Sequence, residues 1–158
     1  MRLTLVAIDQ DQFARLAAEQ STLVNLLLHP PGDASLRMDK EWHGIHFLLT
    51  GDAWSTDGEY GSVVFGGTEI GPDISYGPAR MLTAQQVRDI ESKLQALSPD
   101  DLRSRFNPAE MTAAQIYPDV WIRDGDQALE WLIAGYLKTR KFYADAAAMG
   151  KAVILAIL

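Results

Sequence analysis

The sequence predicts a mixed α/β domain spanning 1–158, with a small central sheet covered by helices on both faces. Three observations carry that expectation. The chain opens on "LTLVAI" at 3–8 and closes on "AVILAIL" at 152–158, two short, continuously apolar runs. A strand reads this way when both of its faces are covered, because neither set of alternating side chains meets water. Between them, apolar residues recur mostly at the helical period of 3.6 residues, punctuated by capping residues. With 158 residues, 47% of them hydrophobic, the chain has the size of one ordinary domain and apolar surface for one core. At this length about two thirds of the unfolded surface is buried on folding, so no disulfide or metal staple is needed.

The elements follow in order. After the 3–8 strand, Asp9 caps a helix running to about Gln20, with Phe13, Leu16 and Ala17 on its inner stripe. "STLVNLLLH" continues as a second short helix, ended by Pro30-Pro31-Gly32, and "GDASL" reads as loop. "MDKEWHGIHFLLTG" then predicts a helix from about Asp39 to Leu49, stopped by Gly51. Met38, Trp42, Ile45, His46 and Leu49 share one face, while Phe47 and Leu48 lie off it. A helix apolar nearly all round is central. Residues 51–78 contain seven glycines and two prolines and read as an irregular segment; "SVVF" within it fits a short helix or a strand equally. "ARML" at 79–82 reads as a short strand. Thr83 with Gln86 forms a capping box for a helix carrying Val87, Ile90, Leu94 and Leu97. Ser98-Pro99 and Asn107-Pro108 each place a cap and a first-turn proline, with an acid following, which predicts two further short helices. "IYPDVW" at 116–121 reads as an extended connector, because Pro118 biases Tyr117 away from helix. The longest helix runs from about Asp126 to Met149, and Gly150 ends it.

Composition limits the function. The chain has no cysteine, which removes disulfides, thiolate metal sites and a cysteine nucleophile, and fits a reducing cytoplasm. The N-terminus lacks the long apolar region of a signal peptide, and no apolar run approaches the roughly 20 residues that span a bilayer. The expectation is a cytoplasmic chain without a membrane partner. A net charge of −7 opposes nucleic-acid binding, which usually needs a basic surface. It suits a basic protein partner. "KTRKF" at 138–142 is the wet face of a helix.

Six residues form a candidate pocket: Trp42, His46, Tyr76, Arg80, Tyr117 and Trp121. His46 beside Trp42 reads as a buried neutral imidazole, or alternatively as a general base tuned by burial. His43 lies one turn from Asp39 and reads as its partner on the surface. Tyr76-Gly77-Pro78-Ala79-Arg80 makes a tight entry into a strand, and Arg80 there requires a carboxylate or phosphate. The internal candidates are Asp39 and Asp119; the alternative is a small anionic ligand. Tyr117 and Trp121 read as core, or else as pocket walls. Three histidines at these positions do not supply a metal site, and there is no phosphate-binding loop or nucleophile elbow, so no cofactor is expected.

Several motifs stand in one order: "MDKEWHGIHFLLTG", "GG" at 66–67, "SYGPARMLTAQQV", "IYPDVW" and a long helix ending "AAAMGKAVI". This order resembles the YfbM-like family, a bacterial domain family of unknown function. The resemblance covers nearly the whole chain. It implies a mixed α/β domain with a small sheet between helices, and it implies no activity and no catalytic residues. The leading expectation is therefore a non-enzymatic binding or interaction domain, one version of which neutralises a basic partner. The alternative is an enzyme or small-ligand binder with its pocket between the 39–49 helix and the 66–80 segment.

Overall fold

The computed structural model describes residues 1–158. Strand β1 (Leu3–Ile8) leads into α1 (Gln10–Ala18) and α2 (Leu23–Leu28), then a 3-10 turn (Gly32–Ala34) and β2 (Ser35–Met38). Helices α3 (Glu41–Thr50) and α4 (Ser62–Phe65) precede the β3 (Thr68–Asp73) and β4 (Pro78–Leu82) hairpin. Helices α5 (Ala84–Ala96), α6 (Pro99–Ser104), α7 (Pro108–Ala113) and α8 (Trp121–Ala148) lead to β5 (Ala152–Ile157). The five strands form one antiparallel sheet in the order β2-β1-β5-β4-β3. The two apolar runs at the chain ends are thus neighbours near the centre of the sheet, paired from Leu3↔Ile157 to Ile8↔Ala152.

Strand alternation divides the core into two layers. Leu3, Leu5, Leu82, Val153 and Leu155 point to the side packed by α3, α5 and α8. Val6, Ile8, Met81 and Ile154 point to the other side, where Leu16 of α1 and Leu23 and Leu27 of α2 cover them. Each such aliphatic side chain contributes about 1.5–3 kcal/mol when fully buried. That arithmetic explains why β1 and β5 carry no exposed polar alternation.

The capping chemistry forms as expected. Asp9 with Gln12, Thr83 with Gln86 and Ser98 with Asp101 each make a reciprocal capping box. Gly51 closes α3 in the left-handed conformation, its N–H donating to the Phe47 carbonyl at 2.7 Å.

Four expectations are corrected. "GDASL" is not all loop: it holds the 3-10 turn and the first residues of β2, an edge strand. The 51–78 segment is less irregular than its glycine content suggested, because "SVVF" is helix α4 and "TEIGPD" is edge strand β3. The sheet therefore has five strands where three were legible. "IYPDVW" bends instead of extending, with a cis Tyr117–Pro118 bond. Helix α8 begins at Trp121, but Gly125 (φ 45°, ψ −119°) breaks it, so the regular part starts near the expected Asp126.

Candidate functional site

Helix α3 is buried on nearly every side, so its polar groups must find partners inside the protein. His43 does so. Its Nε2 lies 2.9 Å from the Ala53 carbonyl, and its Nδ1 accepts the Tyr117 backbone N–H at 3.0 Å. One nitrogen donates and the other accepts, which specifies a neutral imidazole with the proton on Nε2. Burial holds its pKa below the ordinary histidine value. His46, one turn on, is fully buried and neither ring nitrogen makes a hydrogen bond. Burial, and secondarily His43, pushes its pKa down to about 4; the Asp52 carboxylate and the Ser55 backbone pull the other way without offsetting this. The Trp42 indole N–H is likewise buried without a partner.

These groups sit in an aromatic cluster. Trp42 stacks on His43 at 4.8 Å between ring centroids, and Phe65 meets His46 edge-on at 4.7 Å. Trp54 lies over the cluster, 4.5 Å from His43 and 6.0 Å from Phe65, yet is 58% exposed. The loop places it there: Asp52 Oδ1 accepts from the backbone N–H groups of both Trp54 and Ser55 at 2.8 Å.

Phe65 links this cluster to the hairpin. Gly67 makes the turn from α4 into β3 with φ +89°, and a Cβ there would stand 2.3 Å from the Met81 carbonyl oxygen. Only glycine lets the start of β3 lie so close to the β4 backbone. The register then sets Glu69 opposite Arg80. The guanidinium donates to Glu69 Oε1 at 2.7 Å and to the Gly67 carbonyl at 3.3 Å. At the hairpin tip, Asp73 Oδ1 accepts from Ser75 and Gly77 N–H groups. Tyr76 beside them is 57% exposed. A cavity of about 160 Å³ opens here, lined by Phe65, Glu69, Tyr76, Pro78, Arg80 and Ile157 among others.

The six candidate residues therefore do not form one pocket. Tyr76 and Arg80 share the hairpin cavity, and Trp42 and His46 lie behind Phe65, outside it. Tyr117 and Trp121 belong elsewhere. Trp121 is buried, donates its indole N–H to the Ile116 carbonyl at 2.7 Å and stacks on Trp131; Tyr117 meets the cluster through its backbone N–H. The expected His43–Asp39 surface pair does not exist: His43 is buried, and Asp39 pairs with Arg2 at 2.7 Å. The partner of Arg80 is Glu69, not Asp39 or Asp119. This ion pair is partly exposed, so it is not the buried pair whose loss is costly. No group of three or more His, Cys, Asp or Glu side chains converges anywhere in the structure.

Sequence reasoning placed His43 on the surface and did not single out Trp54, Phe65 or Glu69. One signal was present. Residues 47–79 carry Asp52, Asp57, Glu59, Glu69 and Asp73 and no lysine, arginine or histidine. That run carries five acids unopposed by any base in a chain of net charge −7, and it builds the loop and hairpin around the exposed aromatic residues.

A family model described as "Domain of unknown function (DUF1877)" matches residues 1–156. The chain belongs to the DUF1877 family. The crystal structure of YfbM from Escherichia coli, itself described as a protein of unknown function, matches with a TM-score of 0.83. That match covers 100% of both chains at 20% identity. Fold and family thus agree with the YfbM-like resemblance read from the motifs. At this identity the YfbM likeness establishes the fold alone. No curated protein matches the chain.

Proposed function

We propose that this chain is a non-enzymatic binding domain that engages a basic protein partner in the bacterial cytoplasm. The observation that carries the reading is the distribution of charge. The 47–79 segment holds five acids and no basic residue, and it surrounds two exposed aromatic side chains. Charge complementarity of this kind steers encounter and selects the partner's sign. The groups that would serve catalysis are committed internally: His43 is held by two backbone groups, His46 is sealed, and Arg80 is neutralised by Glu69. A small anionic ligand at Arg80 would have to displace Glu69 within a negative surround, which disfavours that alternative. The absence of cysteine supports the cytoplasmic reading.

The test selects the partner's chemistry without presuming it. Random peptides displayed on phage are panned on the immobilised full chain, in parallel with a thermal-shift screen against metabolites and nucleotides. The expected result is enrichment of Lys- or Arg-containing peptides whose binding weakens with salt, and no metabolite shift. Enrichment of acidic or uncharged sequences would overturn the reading. So would a metabolite that raises Tm in wild type and not in a folded Arg80→Ala variant.

A further inference from the structure

We propose that the surface formed by Trp54, Phe65 and Tyr76 is an arginine-recognition site, taking a guanidinium of the partner into the hairpin cavity beside Glu69. The inference rests on the basic-partner reading and assigns it a place and a residue type.

Phe65 stands between the two exposed rings. Phe65 lies 6.0 Å from Trp54 and lines the same cavity as Tyr76. The two outer rings are more than half exposed, and rings in that position offer π faces to a cation. The cavity of about 160 Å³ has the volume of several waters at about 30 Å³ each, enough for a guanidinium and part of its stem. Its acceptor is in place. Glu69 is 59% exposed and uses Oε1 for Arg80, which lines the same cavity, while Oε2 accepts nothing from the protein, so a second guanidinium would share the Glu69 carboxylate with Arg80. Asp73 and Asp52 likewise spend Oδ1 on backbone N–H groups and leave Oδ2 without a protein donor.

Arginine is selected over lysine by geometry. A guanidinium is planar, stacks on an aromatic ring and donates along its edge to a carboxylate at the same time, whereas an ammonium is a point charge. The protein already uses both contacts on this segment. Arg80 donates to Glu69, and Arg105 sits over the Tyr60 ring at 5.8 Å. A partner arginine would repeat these two interactions together at the free face of Glu69.

The experiment titrates the full 15N-labelled chain with three acetylated, amidated hexapeptides. They alternate glycine with arginine, with lysine, or with citrulline, the uncharged isostere of arginine. Backbone amides and the Trp54 indole report the site. Glu69→Gln and Tyr76→Ala are titrated beside wild type; both positions are exposed, and folding is checked by Tm. The arginine peptide is expected to shift Trp54, Gly77 and Glu69 signals, bind about fivefold or more tighter than the lysine peptide, and leave citrulline without effect. Each variant should weaken it by about five- to tenfold. Equal binding of arginine and lysine, unchanged affinity in both variants, or no shift at these residues at millimolar peptide would each overturn the inference. Basic peptides that win the phage selection but bind away from Trp54 and Tyr76 would sink this site and leave the basic-partner reading standing. Failure of basic peptides to enrich at all would sink the reading itself.

Discussion

His43 and His46 lie one turn apart on α3, both fully inside the protein, and their burial has opposite consequences. His43 satisfies the Ala53 carbonyl and the Tyr117 N–H. Replacing it with leucine orphans two backbone groups, each costing about 1–3 kcal/mol when left unpaired. His43→Leu should lose about 2–4 kcal/mol in urea unfolding, read from the midpoint at unchanged m-value. His46 makes no hydrogen bond, so its two nitrogens carry an uncompensated desolvation cost. His46→Leu should therefore stay within about 1 kcal/mol of wild type or exceed it. Arg80 is half-buried, and it is its carboxylate partner that lies mainly in solvent. Its pair with Glu69 is partly solvated, and exposed pairs are worth about 0–1 kcal/mol, so Arg80→Ala should shift the urea midpoint only slightly. A loss of several kcal/mol would restore Arg80 to the core.

Packing of α3 on α8 depends on two glycines that let the helices approach. A Cβ on Gly44 would stand 2.7 Å from both Leu132 and the Trp121 ring, and one on Gly135 would meet the end of Ile45 at 2.8 Å and the Glu41 Cγ at 2.9 Å. The Ile45 contact is with a terminal methyl, which can shift by a few tenths of an ångström, but the Trp121 ring is locked by its own hydrogen bond and by stacking on Trp131. Alanine gains about 1 kcal/mol of helix propensity at either site, against an overpacking cost of about 1–3 kcal/mol. Gly44→Ala should thus be destabilising by up to about 2 kcal/mol, and Gly135→Ala milder. At the start of β3 the obstacle is backbone, not side chain. Gly67→Ala should lower Tm more than either, because the Met81 carbonyl cannot turn away without breaking the hairpin. Differential scanning calorimetry of the three variants ranks them directly.

For the molecule as a whole, acid is the condition that exposes the buried histidines. In the unfolded chain His46 takes its proton near pH 6.5; in the fold it does so only near about 4. Between those values the unfolded state binds more protons, so stability falls as pH drops from about 6.5 to about 4. The loss for this side chain is about 3 kcal/mol, and His43 acts in the same direction. Urea midpoints across this window should decline in wild type and flatten in His46→Leu; equal slopes would mean that His46 is not the group responsible. Much of the fold was legible from local chemistry. Capping boxes at Asp9, Thr83 and Ser98 marked helix starts, and the fully apolar runs of β1 and β5 marked the covered strands, because caps and continuous burial act through neighbouring residues. Strands β2 and β3 were not legible. They are short, half-exposed edges whose pairing partners supply what their own apolar pattern lacks. The site was less legible for the same reason. Glu69 faces Arg80 through hairpin register, and His43 is buried by a backbone amide 74 positions away. Local patterning and composition set the mixed α/β class, most of the helices, the central strands and the acidic charge. Which histidine is bonded, which ion pair forms and which aromatic rings face solvent are set by the packing of the elements. Those outcomes depend on contacts between distant segments, and a side chain's partner is set by where the fold brings it.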